Sequence, residues 1–396
     1  MVSVEEASSI VFSHLFEPRL ETVAFAEAVD KVLAETIVAD RDFPPFDRVS
    51  MDGIAISFVE WEAGRRIFSV QDIQAAGMKQ KSLGDRQHCL EVMTGAILPT
   101  GADAVIPYED IEINDGSATI LIEKVRLGQN VHKQGQDAKA LSVLLEPGIL
   151  LSPAEIALLA AVGKSNVQVF AYPSTAIVSS GDELVAVQDT PEPHQIRRSN
   201  TFAIQSAMKT MGWEGTVWHL PDNREQMLDT VKRISASFDI IILSGGVSKG
   251  RFDFVPEVLE EVGITKLFHR VNQRPAKPFW FGVSKKGTIV FALPGNPVST
   301  FMCFYRYIKP WLFRSVGVKN NTMKAVLAKD FSFAGSLVYF LQVSVQNENG
   351  MLMAYPVEGG GSGDFANLKN VDGFLELPSH KEKFLTGEVF PYIPFR

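Results

Sequence analysis

The chain has 396 residues, 46% hydrophobic and 21% charged, the balance of an ordinary globular protein. A formal charge of −8 with no basic block argues against a nucleic-acid surface, and no apolar run reaches the roughly 18 residues of a membrane span. Cys89 and Cys303 have no CxxC partners and the seven histidines are scattered, which argues against structural zinc and a disulfide framework.

At roughly 100–200 residues per domain, two to four domains are expected. The acidic N-terminus, MVSVEEASSI, lacks a signal-peptide pattern and predicts a cytoplasmic protein. The first forty residues read as helical: VEEASSIVFSHL and then VAFAEAVDKVLAETI both carry helical apolar periodicity. Between residues 43 and 136 the pattern becomes short strands and turns, RIFSVQDI, HCLEVMTG, DAVIPYEDI and SATILIEKV, punctuated by Gly and Pro. Helical character returns at LSPAEIALLAAVG, with Ser152, Pro153 and Glu155 set as a start signal and Gly163 as a stop. The strand-rich stretch therefore reads as a β unit inserted between helices of one domain.

Strand and helix then alternate. STAIVSS, TVWHL, FDIIILS and TIVFALP read as strands. TFAIQSAMKTM, EQMLDTVKRISAS, VPEVLEEVG and PVSTFMCFYRYIKPWLF read as helices. Ser199 or Asn200 is expected to cap the first helix, and Asp222 to open a capping box with Glu225. Continuous apolar strands alternating with helices predict a doubly wound parallel sheet. Beyond Asn320 the sequence has strand patterns and turns, the mark of a small β domain.

In such a sheet, ligands bind at the carboxyl ends of the strands. Three loops fall there: Ser180-Gly181-Asp182-Glu183, Gly245-Gly246-Val247-Ser248-Lys249-Gly250, and Pro294-Gly295-Asn296-Pro297. Glycines let backbone amides converge on an anion, and the following helix N-terminus adds a favourable field. One such loop is weak evidence; three on successive strand ends point to a nucleotide-like or phosphorylated ligand. GxxxxGK[ST] is missing and GGVSKG does not match GxGxxG, which disfavours P-loop and dinucleotide-binding readings. Asp253 reads either as a site carboxylate or as a helix cap. In RPAKPF, Arg274 and Lys277 are cations stiffened by prolines, and Lys277 is suited to neutralising an oxyanion. Thr94 in MTGA and Asp137 in GQDA are each consistent with plain turn chemistry. Asp52, in FDRVSMDGIA, is the exceptional carboxylate, set among apolar residues and glycine behind Pro44-Pro45.

Together these segments resemble a known family. PPFDRVSMDGIA, VMTGAILPTGADAVIPYED, GQD, SSGDEL, SGGVSKGRFDF, RPAKPFWFG, ALPGNPVS and GGGSG follow, in order, the pattern of the molybdopterin molybdotransferases, which include the E domain of gephyrin. The resemblance implies a helical domain (1–42 and 138–172), an inserted β domain (43–137), an α/β molybdopterin-binding domain (173–318) and a C-terminal β-barrel (319–396). It implies insertion of molybdate into adenylylated molybdopterin with release of AMP, with Mg²⁺ as the divalent ion. It further implies a homodimer whose cleft is shared between subunits, and a molybdopterin adenylyltransferase as a candidate partner. By position, Asp52, Thr94, Asp137 and Glu183 match catalytic residues, and Asp253 matches a metal-site aspartate. Ser180, Gly181, Asp182, Gly245, Gly246, Ser248, Arg274, Lys277, Pro294, Gly295, Asn296, Pro297 and Ser362 match substrate-binding positions.

The departures are specific. KPGKP has become RPAKP, IxDSN carries Arg198 in place of the acid, MDGYA carries Ile54, and Gln342 stands near an expected anion-contacting arginine. A tungstate-specific homologue and a weakened molybdopterin carrier or scaffold are the alternative readings, and Arg274 and Arg198 are the cations placed to compensate for Gln342.

Overall fold

A computed structural model describes residues 1–247, 254–319 and 322–396. The chain forms two compact units, one of Glu35–Glu146 with Ala154–Ser165, the other of Met1–Ala34, Pro147–Pro153 and Asn166–Arg396.

The smaller unit is built on a six-stranded sheet in which Gly53–Ile56 lies between Ala104–Pro107 and His88–Val92. All four residues of Gly53–Ile56 are buried. Alternation along the strand sends Ile54 and Ile56 into a core with Phe68 and Ile106, and Ala55 into a second core with Leu90 and Val105. Apolar residues on both faces are what a strand covered on both sides requires.

In the larger unit, Thr216–Leu220, Thr175–Ser180, Ile240–Ser244 and Ile289–Leu293 form a parallel sheet in that spatial order. Pro278–Ser284 and Ile264–Arg270 extend it as an antiparallel edge that the sequence pattern did not reveal. Thr175–Ser180 is first in the chain but second in space, so the order reverses beside it. Helices Arg224–Ser237 and Val255–Glu261 bury Met227, Val231, Ile234 and Val258 against one face with Val178, Ile241 and Leu243. On the other face, Val4, Ala7 and Val11 of helix Val4–Phe12 join Ile177, Ile242 and Phe291. The predicted last helix is one continuous helical run from Pro297 to Ser315, with a π-helical segment at Phe304–Ile308.

The C-terminal strands Val338–Glu348, Met351–Pro356, Met323–Leu327, Val389–Pro394 and Gly373–Leu377 pair in that order. The last returns to the first through Tyr339 opposite Leu377, which closes a five-stranded barrel. Among the described residues, no helix is long and apolar enough to cross a membrane.

Three local expectations fail, the first at helix Asn200–Lys209, where Ser199 stands at the N-cap without a side-chain cap bond. The second predicted N-terminal helix is instead the strand Leu20–Ala24, a 3₁₀ turn at Phe25–Glu27, and the short strands Val32–Leu33 and Ile37–Val38. Leu20–Ala24 pairs antiparallel with Asn166–Phe170, and Asp30 adopts a φ of 62° that no right-handed helix allows. A partner strand more than a hundred residues away in sequence overrides local periodicity. The helix Arg224–Ser237 is capped by Asn223, whose side chain accepts from the Gln226 amide, and not by Asp222.

Candidate active site

At the carboxyl ends of the parallel strands lies a cavity of about 1210 Å³ in the larger unit. It is larger than the roughly 300–1,000 Å³ typical of small-molecule sites. The three glycine loops meet there. A Cβ on Gly245 would come within 2.9 Å of the Ser180 carbonyl oxygen, and one on Gly295 would lie 3.6 Å from Gly245 Cα. The Gly245 amide donates to the Leu293 carbonyl. Ser244 Oγ donates to the Pro294 carbonyl at 3.3 Å, and Thr300 Oγ1 donates to the same oxygen at 2.5 Å. Asn200 Nδ2 bridges the set, donating to Ser244 Oγ at 2.8 Å and to the Gly295 carbonyl at 2.7 Å.

Sequence-predicted positions divide clearly. Ser180, Glu183, Gly245, Gly246, Arg274, Lys277, Pro294, Gly295, Asn296, Pro297 and Ser362 all line this cavity. Ser362 arrives from the C-terminal segment, accepting from Asn296 Nδ2 at 2.8 Å, and its carbonyl accepts from the Val298 amide. Gly181 and Asp182 sit beside the cavity rather than on its wall. Asp182 and Asp222 each accept from the other's backbone amide, at 3.0 and 3.2 Å, and so tie two strand-end loops together. Ser248 and Asp253 lie outside the described residues. Gln342 is not among the cavity residues; its Oε1 accepts from Asn367 Nδ2 at 3.5 Å.

The wall carries Arg197, Arg198, Arg274 and Lys277 against the carboxylate of Glu183, an excess of positive charge suited to an anionic ligand. Arg274 lies over the Phe333 ring at 5.5 Å from its centroid. Ala276 holds a φ of 69°, a conformation that glycine adopts without cost, which accounts for the glycine expected at this position. Two residues were not marked as site residues from the sequence. Asn200 organises the loops, and His219 shares a hydrogen bond with Ser179 Oγ at 3.1 Å through Nδ1. Burial, then the charge of Arg198, lowers the His219 pKa. Neither residue belongs to a glycine loop or to the proline-stiffened cation pair, the signals that marked the other cavity residues.

The smaller unit assembles a separate carboxylate group. Asp52 Oδ1 accepts from the Thr94 amide at 2.7 Å and from Thr94 Oγ1 at 2.8 Å. Those bonds, the amide first, lower the Asp52 pKa. Gly53 is required by close approach: a Cβ there would lie 1.9 Å from the Ile106 carbonyl oxygen. Asp137 accepts from His132 Nε2 at 2.8 Å, while Arg48 Nη2 donates to His132 Nδ1 at 3.0 Å. With Nδ1 accepting from a guanidinium, the imidazole carries its proton on Nε2. Asp47 accepts from Lys133 Nζ and from the Gln134 amide, both at 2.9 Å, which pins residues 46–49 to the connector. The structure thus joins Asp52 to Thr94 and places Asp137 in a different cluster.

A parallel sheet with a cation-lined cavity at its switch point, followed by a closed barrel, defines a multidomain α/β protein whose cavity suits an anionic ligand. Family models for the MoeA N-terminal region (domain I and II), a probable molybdopterin binding domain and the MoeA C-terminal region (domain IV) match residues 2–163, 176–314 and 324–395. The chain belongs to the MoeA family. A Synechocystis molybdopterin molybdenumtransferase is 39% identical, over 99% of each chain. A Bacillus subtilis protein of the same name is 32% identical, covering 100% of this chain and 94% of that one. Among solved structures, a molybdopterin biosynthesis MoeA protein from Pyrococcus horikoshii OT3 is 28% identical with a TM-score of 0.86, covering 100% of both chains.

Proposed function

We propose that the protein is a molybdopterin molybdenumtransferase that inserts molybdate into adenylylated molybdopterin and releases AMP. The observation that carries this is the cavity of the larger unit, where three glycine loops and four cationic side chains converge at the strand ends. A large, polyanionic, phosphorylated substrate needs that combination of backbone donors and positive charge. The similarity to relatives named for this activity supports the reading over nearly the full chain.

In this reading Arg274, Lys277 and the Asn296–Ser362 pair hold the oxyanion through charge-assisted and neutral hydrogen bonds. Ser180, Gly181, Gly245, Gly246 and the Pro294–Pro297 turn receive the pterin phosphate chain, with Asp182 bracing the loops and Ser248 a further contact. Glu183, Asp52, Thr94 and Asp137 are the proposed catalytic groups. Mg²⁺ binds through one or two carboxylates together with substrate phosphates, not through an all-protein cage. Glu183 adds a carboxylate on the cavity wall. Asp253 is the carboxylate that would hold the ion, which when bound neutralises phosphate charge.

The protein is proposed to act in the cytoplasm as a homodimer, supplied by a molybdopterin adenylyltransferase. The proposed domain limits are 1–42 with 138–172, 43–137, 173–318 and 319–396, and family-model spans of 176–314 and 324–395 support the last two. The test is AMP release from adenylylated molybdopterin with Mg²⁺ and molybdate, with Asp52→Ala as the inactive control. Release by wild type and not by the variant supports the assignment; no release by a folded wild-type protein removes it.

A further inference from the structure

Thr201 is 1% exposed and lines the cavity, yet its Oγ1 has no hydrogen-bond partner among the described residues. Arg198 lines the same cavity, and its Nε is also buried without a partner. Buried polar atoms are nearly always satisfied, so two orphans three residues apart call for an explanation. A ligand that accepts hydrogen bonds is the simplest one.

Both residues flank the start of helix Asn200–Lys209, which has ten residues. Ser199, the residue before it, makes no side-chain cap bond. The amides of the first turn have no acceptor within the helix, and the helix dipole makes this end favourable for negative charge. Asn200 Nδ2 donates to Ser244 Oγ and to the Gly295 carbonyl, which anchors this side chain to the glycine loops. Arg197 adds a second guanidinium to the wall, although its Nε donates to the Asp189 carbonyl at 3.0 Å.

We infer that Arg198, Thr201 and the helix N-terminus form a subsite for a phosphate monoester, a group that cleavage of the proposed phosphoanhydride substrate leaves on its products, served by different side chains from Arg274, Lys277 and Ser362. A guanidinium, a hydroxyl and free amides converging on one place match a tetrahedral group with three terminal oxygens better than a carboxylate with two. Arg198 is here a specificity-determining residue, since a cation at this position selects the doubly charged form of the ester. The inference rests on the cavity being the substrate site, as proposed above.

Inorganic phosphate and, separately, molybdate are titrated calorimetrically into wild type, Arg198→Gln and Thr201→Val at fixed ionic strength. Losing one charge-assisted bond is expected to weaken phosphate binding about ten- to a hundredfold in Arg198→Gln. Losing one neutral bond is expected to weaken it about two- to tenfold in Thr201→Val. Thr201→Val also removes an unsatisfied buried hydroxyl, so its melting temperature without ligand should not fall, and its phosphate defect then cannot be a folding defect. Molybdate affinity should change little in either variant. Phosphate binding by Arg198→Gln within twofold of wild type overturns the subsite. So does an equal loss of molybdate affinity, which would report the charge of the whole cavity and not a local contact. If phosphate binding depends on Arg198 while the wild type releases no AMP, the subsite stands and the proposed reaction falls.

Discussion

A carboxylate that accepts two hydrogen bonds from one residue is stabilised in its charged form, and Asp52 is in that position opposite Thr94. Its pKa lies below the ordinary aspartate value. The sign follows: whatever the Asp52–Thr94 contact adds to stability is present above the ordinary aspartate pKa. It is lost as pH falls through the depressed one. Thr94→Val removes the hydroxyl but keeps the amide, so the Asp52 pKa should rise part of the way back, as read by NMR titration of its side-chain carbonyl carbon. An unchanged titration would assign the shift to the amide alone. Asp52 and Thr94 were both legible in the sequence as motif residues, but their pairing was not. They lie 42 positions apart, and only the pairing of Gly53–Ile56 with His88–Val92 brings them together. Asn200 and His219 were missed for a related reason. An ordinary asparagine at a helix start, or a histidine in a strand, carries no local signal of what it will meet.

At the scale of elements, the three glycine loops were predictable because each follows a continuous apolar strand, and strand ends in a parallel sheet lie on one side. What the sequence could not convey is how tightly they pack. Gly246 has a φ of 68°, and a Cβ there would fall 2.5 Å from Val255 Cγ2 and 2.8 Å from Ser180 Oγ. Gly246→Ala is therefore strained twice, by conformation and by contact. A cost of about 1–3 kcal/mol is expected, measured as a drop in the denaturant midpoint at unchanged slope. Phosphate affinity should fall with it, because relieving the clash pushes the loop away from Ser180. A variant as stable as wild type would mean that the loop relaxes freely. The opposite failure of prediction, at residues 20–38, has the same physical root. Thr22 and Val23 suit a strand as well as a helix, and the decisive term is pairing with Asn166–Phe170.

On the scale of the whole molecule, the order of the segments made the α/β sheet and the barrel legible. The strand order within the barrel and the antiparallel sheet edge were not, because both depend on which strand meets which. Within the larger unit, one ion pair fastens the long C-terminal helix of the α/β sheet to the barrel. Arg306 Nε and Nη2 donate to the two carboxylate oxygens of Glu376 at 2.7 and 3.1 Å, and Nη1 donates to Ser8 Oγ at 3.2 Å. Both side chains of the pair are only 18% exposed. Pairs so placed recover in mutual attraction roughly what they lose in hydration, so the pair itself adds little net stability. Removing one partner is different, since it strands the other charge away from water. Arg306→Met should therefore cost about 3 kcal/mol, near the lower end of measured losses because some solvent still reaches Glu376. The double variant Arg306→Met/Glu376→Leu should be more stable than Arg306→Met alone, because no unpaired charge remains. Thermal unfolding of the wild type, both single variants and the double variant measures the coupling. If the two single losses simply add in the double variant, the pair is not acting as a unit, and the helix is held to the barrel by its apolar contacts alone.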